Sequence, residues 1–270
     1  MLSKNISYTN FKLNVTSQKK ILKIFKKLIK SPNQVLLSLS SIYKDSYNKK
    51  TISKLNKYTN LRLIGMGGSI LGAKAIYNFL TPKSKKFQFI DNFSNHFLQT
   101  SKKKNLNLII SKSGNTLETI SNVNVLINKK ERNIFITEKK KSYLTNLANE
   151  LKAEIIDHNN YIGGRYSVLS EVGMLPAQLM GFKPEKFRRL NYLIKNKTFN
   201  NSLIQNVSNI LSLIKNKTNS IILNYDQKSN EFFKWYQQLV AESLGKKGKG
   251  ILPIISTMPQ DNHSLMQYYL

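Results

Sequence analysis

The sequence predicts an α/β fold of doubly wound parallel sheets flanked by helices. Two observations carry that expectation. From Leu61 onward, short apolar runs of strand length alternate with helical patterns. Two of the strand-to-helix junctions, GMGGSILG at Gly65–Gly72 and SKSGNTLET at Ser111–Thr119, concentrate glycines or hydroxyls where a ligand meets a parallel sheet.

Residues 1 to about 58 read as helical and polar, with an amphipathic piece at Ile21–Ile29. Leu61–Ile64 predicts a strand, followed by the glycine turn and a helix through Leu80. Phe87–Ile90 and Leu106–Ile110 predict strands, and Leu117–Ile127 a helix. Asn133–Ile136 predicts a strand, Ser142–Leu151 a helix capped by Ser142, and Glu154–Ile156 a short strand. A second unit is expected from about Lys183. Its pieces are a helix at Leu203–Ile214, a strand at Ser220–Leu223, a helix at Asn230–Leu244, a strand at Ile251–Ile255, and a last helix from near Asn262. The expected domains are therefore 1–58, 59–182 and 183–270.

The chain has 270 residues and 40% hydrophobic composition, enough for one large core or two smaller ones. No apolar run approaches membrane-spanning length, and Met1–Lys20 lacks the apolar core of a signal peptide. A soluble, cytoplasmic protein without a membrane partner is expected. The absence of Cys excludes disulfides, thiolate catalysis and Cys-ligated metal. The net charge of +29 invites a nucleic-acid reading. Lysine is spread along the chain, however, in short runs at Lys83–Lys86, Lys102–Lys104 and Lys139–Lys141, without an Arg-rich arm or aromatic platform. Asn is also very frequent. Both residues have A/T-rich codons, so the charge reads as genome composition and no specific nucleic-acid partner is expected.

Five segments could carry chemistry. Gly65–Gly72 lacks the ending of a P-loop and the spacing of a dinucleotide fingerprint, so a tight turn and a backbone approach to ligand both remain open. Ser111–Thr119 offers an anion free amides, a helix dipole and clustered hydroxyls from Ser111, Ser113 and Thr116. Asn115 or Thr116 as a simple helix cap would explain one of those hydroxyls, not all. In Gly163–Ser167, two glycines precede Arg165 and let the backbone turn and aim a guanidinium. Helical spacing puts Trp235, Gln238, Leu239 and Glu242 on one largely buried stripe. Glu242 at its end is either a carboxylate against apolar surface, suited to act as a base, or a solvent-facing partner of Lys246. His263 is an acid–base candidate that needs outside support, while His96 and His158 sit in polar surroundings without a motif.

In order and spacing, GMGGSILG, SKSGNTLET, GGRYS, QQLVAESLGK at Gln237–Lys246 and the His263 region resemble the glucose-6-phosphate isomerase (phosphoglucose isomerase) family. The resemblance runs from about Leu61 to the C-terminus. It implies two sugar-isomerase (SIS) subdomains, the second incomplete here, and interconversion of glucose 6-phosphate and fructose 6-phosphate through a cis-enediolate, in glycolysis and gluconeogenesis. It also implies Ser111, Lys112, Ser113 and Thr116 on the sugar phosphate, and Gly68 and Ser69 beside the sugar. Arg165 would stabilise the enediolate, Glu242 would be the base, and Gln238 would position substrate. His263 would open the ring, reaching in from a neighbouring subunit of a homodimer. Such chemistry requires one base, an oxyanion partner and a phosphate anchor, with no cofactor or metal.

The sequence departs from the family in two respects. Its Asn-Thr turn replaces the common Thr-Phe-Thr-Thr form but keeps the hydroxyls. The family's further catalytic lysine, on a helix near its C-terminus, has no counterpart before Leu270. We therefore expect a fragment of a longer gene product. The competing expectation is a non-catalytic SIS module that binds sugar phosphates, which would have no need of Arg165, Glu242 and His263 together.

Overall fold

The computed structural model describes residues 18–82, 85–93 and 105–270. His96 and Lys102–Lys104 lie outside the described residues, as do part of the Lys83–Lys86 run and most of the polar N-terminal stretch. Helices α1 (Gln18–Lys30), α2 (Gln34–Ser38) and α3 (Lys49–Leu55) lead into strand β1 (Asn60–Gly65). Then follow α4 (Leu71–Leu80), β2 (Lys86–Ile90), β3 (Leu106–Ile110), α5 (Leu117–Leu126), β4 (Arg132–Thr137), α6 (Tyr143–Glu150) and β5 (Glu154–Asp157). These five strands form one sheet in the order β2-β1-β3-β4-β5, and every pairing is parallel.

Alternation along each strand builds two cores. Leu61, Leu63, Leu106, Leu108, Ile110, Ile134 and Ile136 face α4 and a later helix, α7 (Glu171–Leu179). Ile64, Ile109 and Phe135 face α5 and α6 through Val123, Leu144 and Ala148. At the N-terminal ends of the strands, Glu131 gathers an ion pair from Arg62 and donated hydrogen bonds from Asn105 (2.7 Å) and Asn107 (2.9 Å). Ser142 caps α6 as expected, exchanging hydrogen bonds with Thr145.

The sequence reading missed α7. Gly173 and Pro176 interrupt its pattern, yet it is the most buried helix of the fold, with Val172, Met174, Leu175, Ala177 and Leu179 all in the core. Burial on several faces removes the amphipathic signature. The chain continues through α8 (Leu190–Leu193), α9 (Lys197–Leu213), β6 (Asn219–Asn224), α10 (Asn230–Leu244), β7 (Leu252–Thr257) and α11 (Met266–Tyr269). Helix α9 starts earlier than expected because Asn196 caps it. The expected last helix near Asn262 is a 3-10 turn at Gln260–His263 followed by α11. Strands β6 and β7 pair in parallel as a separate two-stranded sheet.

The N-terminal helices are tied to the first sheet by buried charge. Arg188 forms a two-pronged pair with Asp45 (2.9 and 2.6 Å), donates to the Leu169 carbonyl and stacks on Tyr43. Tyr43 donates to Glu171 at the start of α7 (2.9 Å). His158, expected in polar surroundings, is wholly buried after β5. Its Nδ1 lies 3.1 Å from the Asn159 carbonyl, and its Nε2 has no partner among the described residues.

Arg188→Ala, which strands Asp45 in a nearly dry site, is expected to cost about 3–5 kcal/mol, read from the urea midpoint. Burial pushes the His158 imidazole below its ordinary value, with Glu171 opposing. The stability this contributes is complete above the ordinary histidine range and is lost as pH falls through it, because the unfolded chain takes up the proton first. Stability is therefore expected to fall between about pH 7 and pH 5, and less steeply in His158→Asn, measured by urea unfolding at each pH.

Candidate functional site

The strand order places a crevice before any side chain is considered. From β1 the chain crosses one way to β2 and then returns to β3 on the other side, so the connections diverge between β1 and β3. Beyond the carboxyl ends of these strands lies the switch point where open parallel sheets bind ligands. Gly65 pairs with Ile110 across it, and the two turns leaving that register are Met66–Ser69 and Ser111–Thr116.

The hydroxyl turn is internally braced. Ser111 is buried, and its Oγ lies 2.9 Å from Thr116 Oγ1 and accepts from the Gly114 amide (3.2 Å). Ser113 Oγ accepts from the Asn115 amide (3.1 Å). Gly114 has φ +67°, and a Cβ there would lie 2.1 Å from Ser142 Oγ, so the turn admits only glycine. Thr116 occupies the N-cap position of α5 without a side-chain cap bond, its hydroxyl being held by Ser111. The first-turn amides of α5 are thereby left without a side-chain acceptor, which suits an anion. Asn115 instead accepts from the Tyr143 amide (2.8 Å). Lys112 reaches the Asn160 carbonyl (2.8 Å) and comes within 3.6 Å of Glu138.

Across the crevice, the glycine turn meets the arginine turn. A Cβ on Gly68 would sit 2.1 Å from the Gly164 carbonyl carbon and 2.5 Å from the Arg165 nitrogen. Ser167 Oγ, facing both turns, lies 2.7 Å from the Gly164 carbonyl oxygen and 3.3 Å from that of Gly68. Arg165 thus starts on the floor of the site, and the 3-10 turn Gly164–Leu169 aims it. Its Nη1 pairs with Glu242 Oε1 at 2.6 Å, and its Nε donates to Ser243 Oγ at 2.9 Å. Its Cζ lies 4.7 Å from the ring centroid of Tyr166, whose hydroxyl is 2.6 Å from the same Ser243 Oγ. Tyr166, then Glu242, hold Arg165 above the ordinary arginine value, while Ser243 first and Arg165 second draw the Tyr166 phenol down.

Gln238, one helical turn before Glu242 on α10, donates to Glu242 Oε2 (3.3 Å) and packs against Gly67. Its Oε1 is buried without a partner among the described residues. Helix α10 is less covered than expected: the stripe of Trp235, Gln238, Leu239 and Glu242 is half-buried or exposed, and the helix has no fully buried residue. It packs on α4 and β7, and the two-stranded sheet behind it cannot enclose it. Beside Arg165 this leaves an apolar groove of about 620 Å³ lined by Phe79, Val168, Phe232, Trp235 and Leu239.

The structure thus brings Gly68, Arg165, Gln238 and Glu242 together, with Ser111, Ser113 and Thr116 on the adjacent strand end. His263 is exposed on its 3-10 turn and makes no hydrogen bond or ion pair with that cluster. Asp261 fixes the turn by accepting from Ser256 Oγ and the Thr257 amide (both 2.7 Å), contacts that hold its carboxyl below the usual range. Sequence reasoning missed Ser243 and Tyr166. Their neighbours Glu242 and Arg165 were visible by charge, whereas a serine and a tyrosine carry no such signal. Among the described residues no group of His, Asp and Glu could hold a metal ion, and no helix is long and apolar enough to cross a membrane.

The family profile described as phosphoglucose isomerase matches residues 21–252. Glucose-6-phosphate isomerase of Methanocaldococcus jannaschii is 37% identical over 248 residues, covering 85% of this chain and 61% of that protein. Glucose-6-phosphate isomerase of Acholeplasma laidlawii is 33% identical over 260 residues, covering 82% of this chain and 60% of that protein. The chain therefore spans about 60% of the length of these relatives. Among solved structures, a hypothetical protein of Thermus thermophilus aligns with a TM-score of 0.73 at 22% identity, over 93% of this chain and 67% of that one. The C-terminal domain of glucosamine-fructose-6-phosphate aminotransferase from Francisella tularensis aligns with a TM-score of 0.50 at 10% identity, over 97% of this chain and 75% of that one. These two likenesses are of fold.

Gly68→Ala would force the glycine and arginine turns apart, since backbone rather than a flexible side chain blocks the new methyl. We expect a loss of about 1–3 kcal/mol in stability, read by chemical denaturation.

Proposed function

Because the chain belongs to the phosphoglucose isomerase family, we propose that it carries the site at which glucose 6-phosphate and fructose 6-phosphate are interconverted. The observation that supports this most is the pairing of Arg165 with Glu242 over the Gly68–Gly164 contact, beside a braced hydroxyl turn at the switch point.

In this reading the sugar phosphate is held by Ser111, Ser113, Thr116 and the amides of the α5 first turn. Lys112 adds positive charge from its place beside Glu138 and Asn160. Gly68 and Ser69 lie along the sugar. Glu242 takes the proton from C2 of the aldose and returns it to C1, while the O2 hydroxyl proton passes to O1, which makes the ketose. Arg165 carries the negative charge that collects on the enediolate oxygens, where a fixed guanidinium does more than water would. Gln238 orients the substrate from its place beside Glu242 and Gly67. The phosphate anchor fixes C1 and C2 against the base, so remote binding energy serves orientation at the reacting carbons.

His263 is proposed as the ring-opening group, offered to the site of a second copy in a homodimer. Its exposure on a turn clamped by Asp261 is compatible with that assignment. We also propose a cytoplasmic setting, and the division into 1–58, 59–182 and 183–270. The five-stranded and two-stranded sheets fall in the second and third of these units.

In a coupled assay on fructose 6-phosphate, Glu242→Gln is expected to lower turnover by about 10²–10⁴-fold, the scale of general-base catalysis, while binding of the phosphosugar by calorimetry persists. Equal turnover in the two proteins would remove Glu242 from the role of base. Phosphosugar binding by a chain with no turnover would favour a sugar-phosphate-binding module instead.

A further inference from the structure

Glu242 Oε1 sits 2.6 Å from Arg165 Nη1, so that oxygen can receive a proton from substrate only after it leaves the guanidinium. Accepting a proton requires the carboxylate to swing off Nη1. Gln238, already 3.3 Å from the other carboxylate oxygen, offers it a second partner, and half of the Glu242 side chain is exposed and free to move. The guanidinium must not follow, because the same nitrogen would then face the developing oxyanion.

We propose that Ser243 is a positioning residue that keeps Arg165 in place when Glu242 leaves it, an inference that rests on the isomerase reading above. Arg165 is gripped on two independent edges. Nη1 goes to Glu242, and Nε goes to Ser243 at 2.9 Å. Ser243 follows Glu242 on α10, so a rotation of the Glu242 side chain does not disturb it. With its oxygen accepting from Arg165, Ser243 has its own hydroxyl proton left for the Tyr166 oxygen at 2.6 Å. The Tyr166 ring lies under the guanidinium, 4.7 Å from centroid to Cζ, and so closes a ring of three contacts. The Glu242 edge is a latch that ligand can open, and the Ser243–Tyr166 edge is the hinge that stays shut.

The test uses the full chain and two ligands that differ at the reacting end. D-Arabinonic acid 5-phosphate presents a carboxylate where the enediolate oxygens form, and glucitol 6-phosphate presents an alcohol. Ser243→Ala is expected to lose about tenfold or more in affinity for the carboxylate ligand, the scale of one charge-assisted hydrogen bond, and less than about threefold for the alcohol. Ser243→Thr, which keeps the hydroxyl, is expected to restore the difference. Without ligand, the Arg165 Nε–H proton should exchange with water faster in Ser243→Ala than in the unaltered chain. Equal losses for both ligands, no loss, or unchanged Nε–H exchange would overturn the role. An unaltered chain that binds neither ligand overturns the isomerase reading, and the role with it.

Discussion

Two stretches of backbone touch at Gly68 and Gly164 with no side chain between them, and the geometry of the site follows from that contact. The glycine turn is fixed by β1, held between β2 and β3 in the sheet. The arginine turn belongs to the connection from β5 to α7. Pressing one against the other carries Arg165 from the far edge of the sheet to its switch point. Any side chain at Gly68 would open the distance across which Arg165 reaches Glu242. Ser167, with its hydroxyl directed at both carbonyl oxygens, locks the approach from beneath.

Much of this was legible from the residues. The strands of the first sheet appear where Leu106–Ile110 and its neighbours predict them, because strands of a parallel sheet covered by helices are written as short, predominantly apolar runs. The Ser111 turn was legible because its hydroxyls exceed what one helix cap requires. Helix α7 was not, since Gly173 and Pro176 break its pattern and burial on several faces removes its period. The covering of α10 was overestimated for the opposite reason: periodicity reports which face is apolar, not how much protein lies against it. The bond that turns Thr116 toward Ser111 is likewise invisible in sequence, where a threonine before a helix reads as a cap.

The segment before β1 and the segment after α7 support the site from outside it. Asp45 and Arg188 join them through a pair nearly closed to solvent, and the Leu190 amide donates to the Leu39 carbonyl. Tyr43 reaches from the same place to Glu171 at the head of α7, and Glu171 accepts from the Asn159 amide. Asn160, the next residue, supplies the carbonyl that holds Lys112. A chain of packed polar contacts therefore runs from the N-terminal helices to the hydroxyl turn. Its members are individually ordinary, and sequence separation hides all of them.

The bond between Ser111 and Thr116 has a thermodynamic corollary. A flexible loop would have to freeze its rotors and find its shape as the ligand arrives, and that ordering subtracts from affinity. Here the freezing is completed during folding. In the isomerase reading proposed above, a phosphate at this turn would meet a stiff socket, and the far end of the sugar would arrive in front of Glu242 with little angular freedom left.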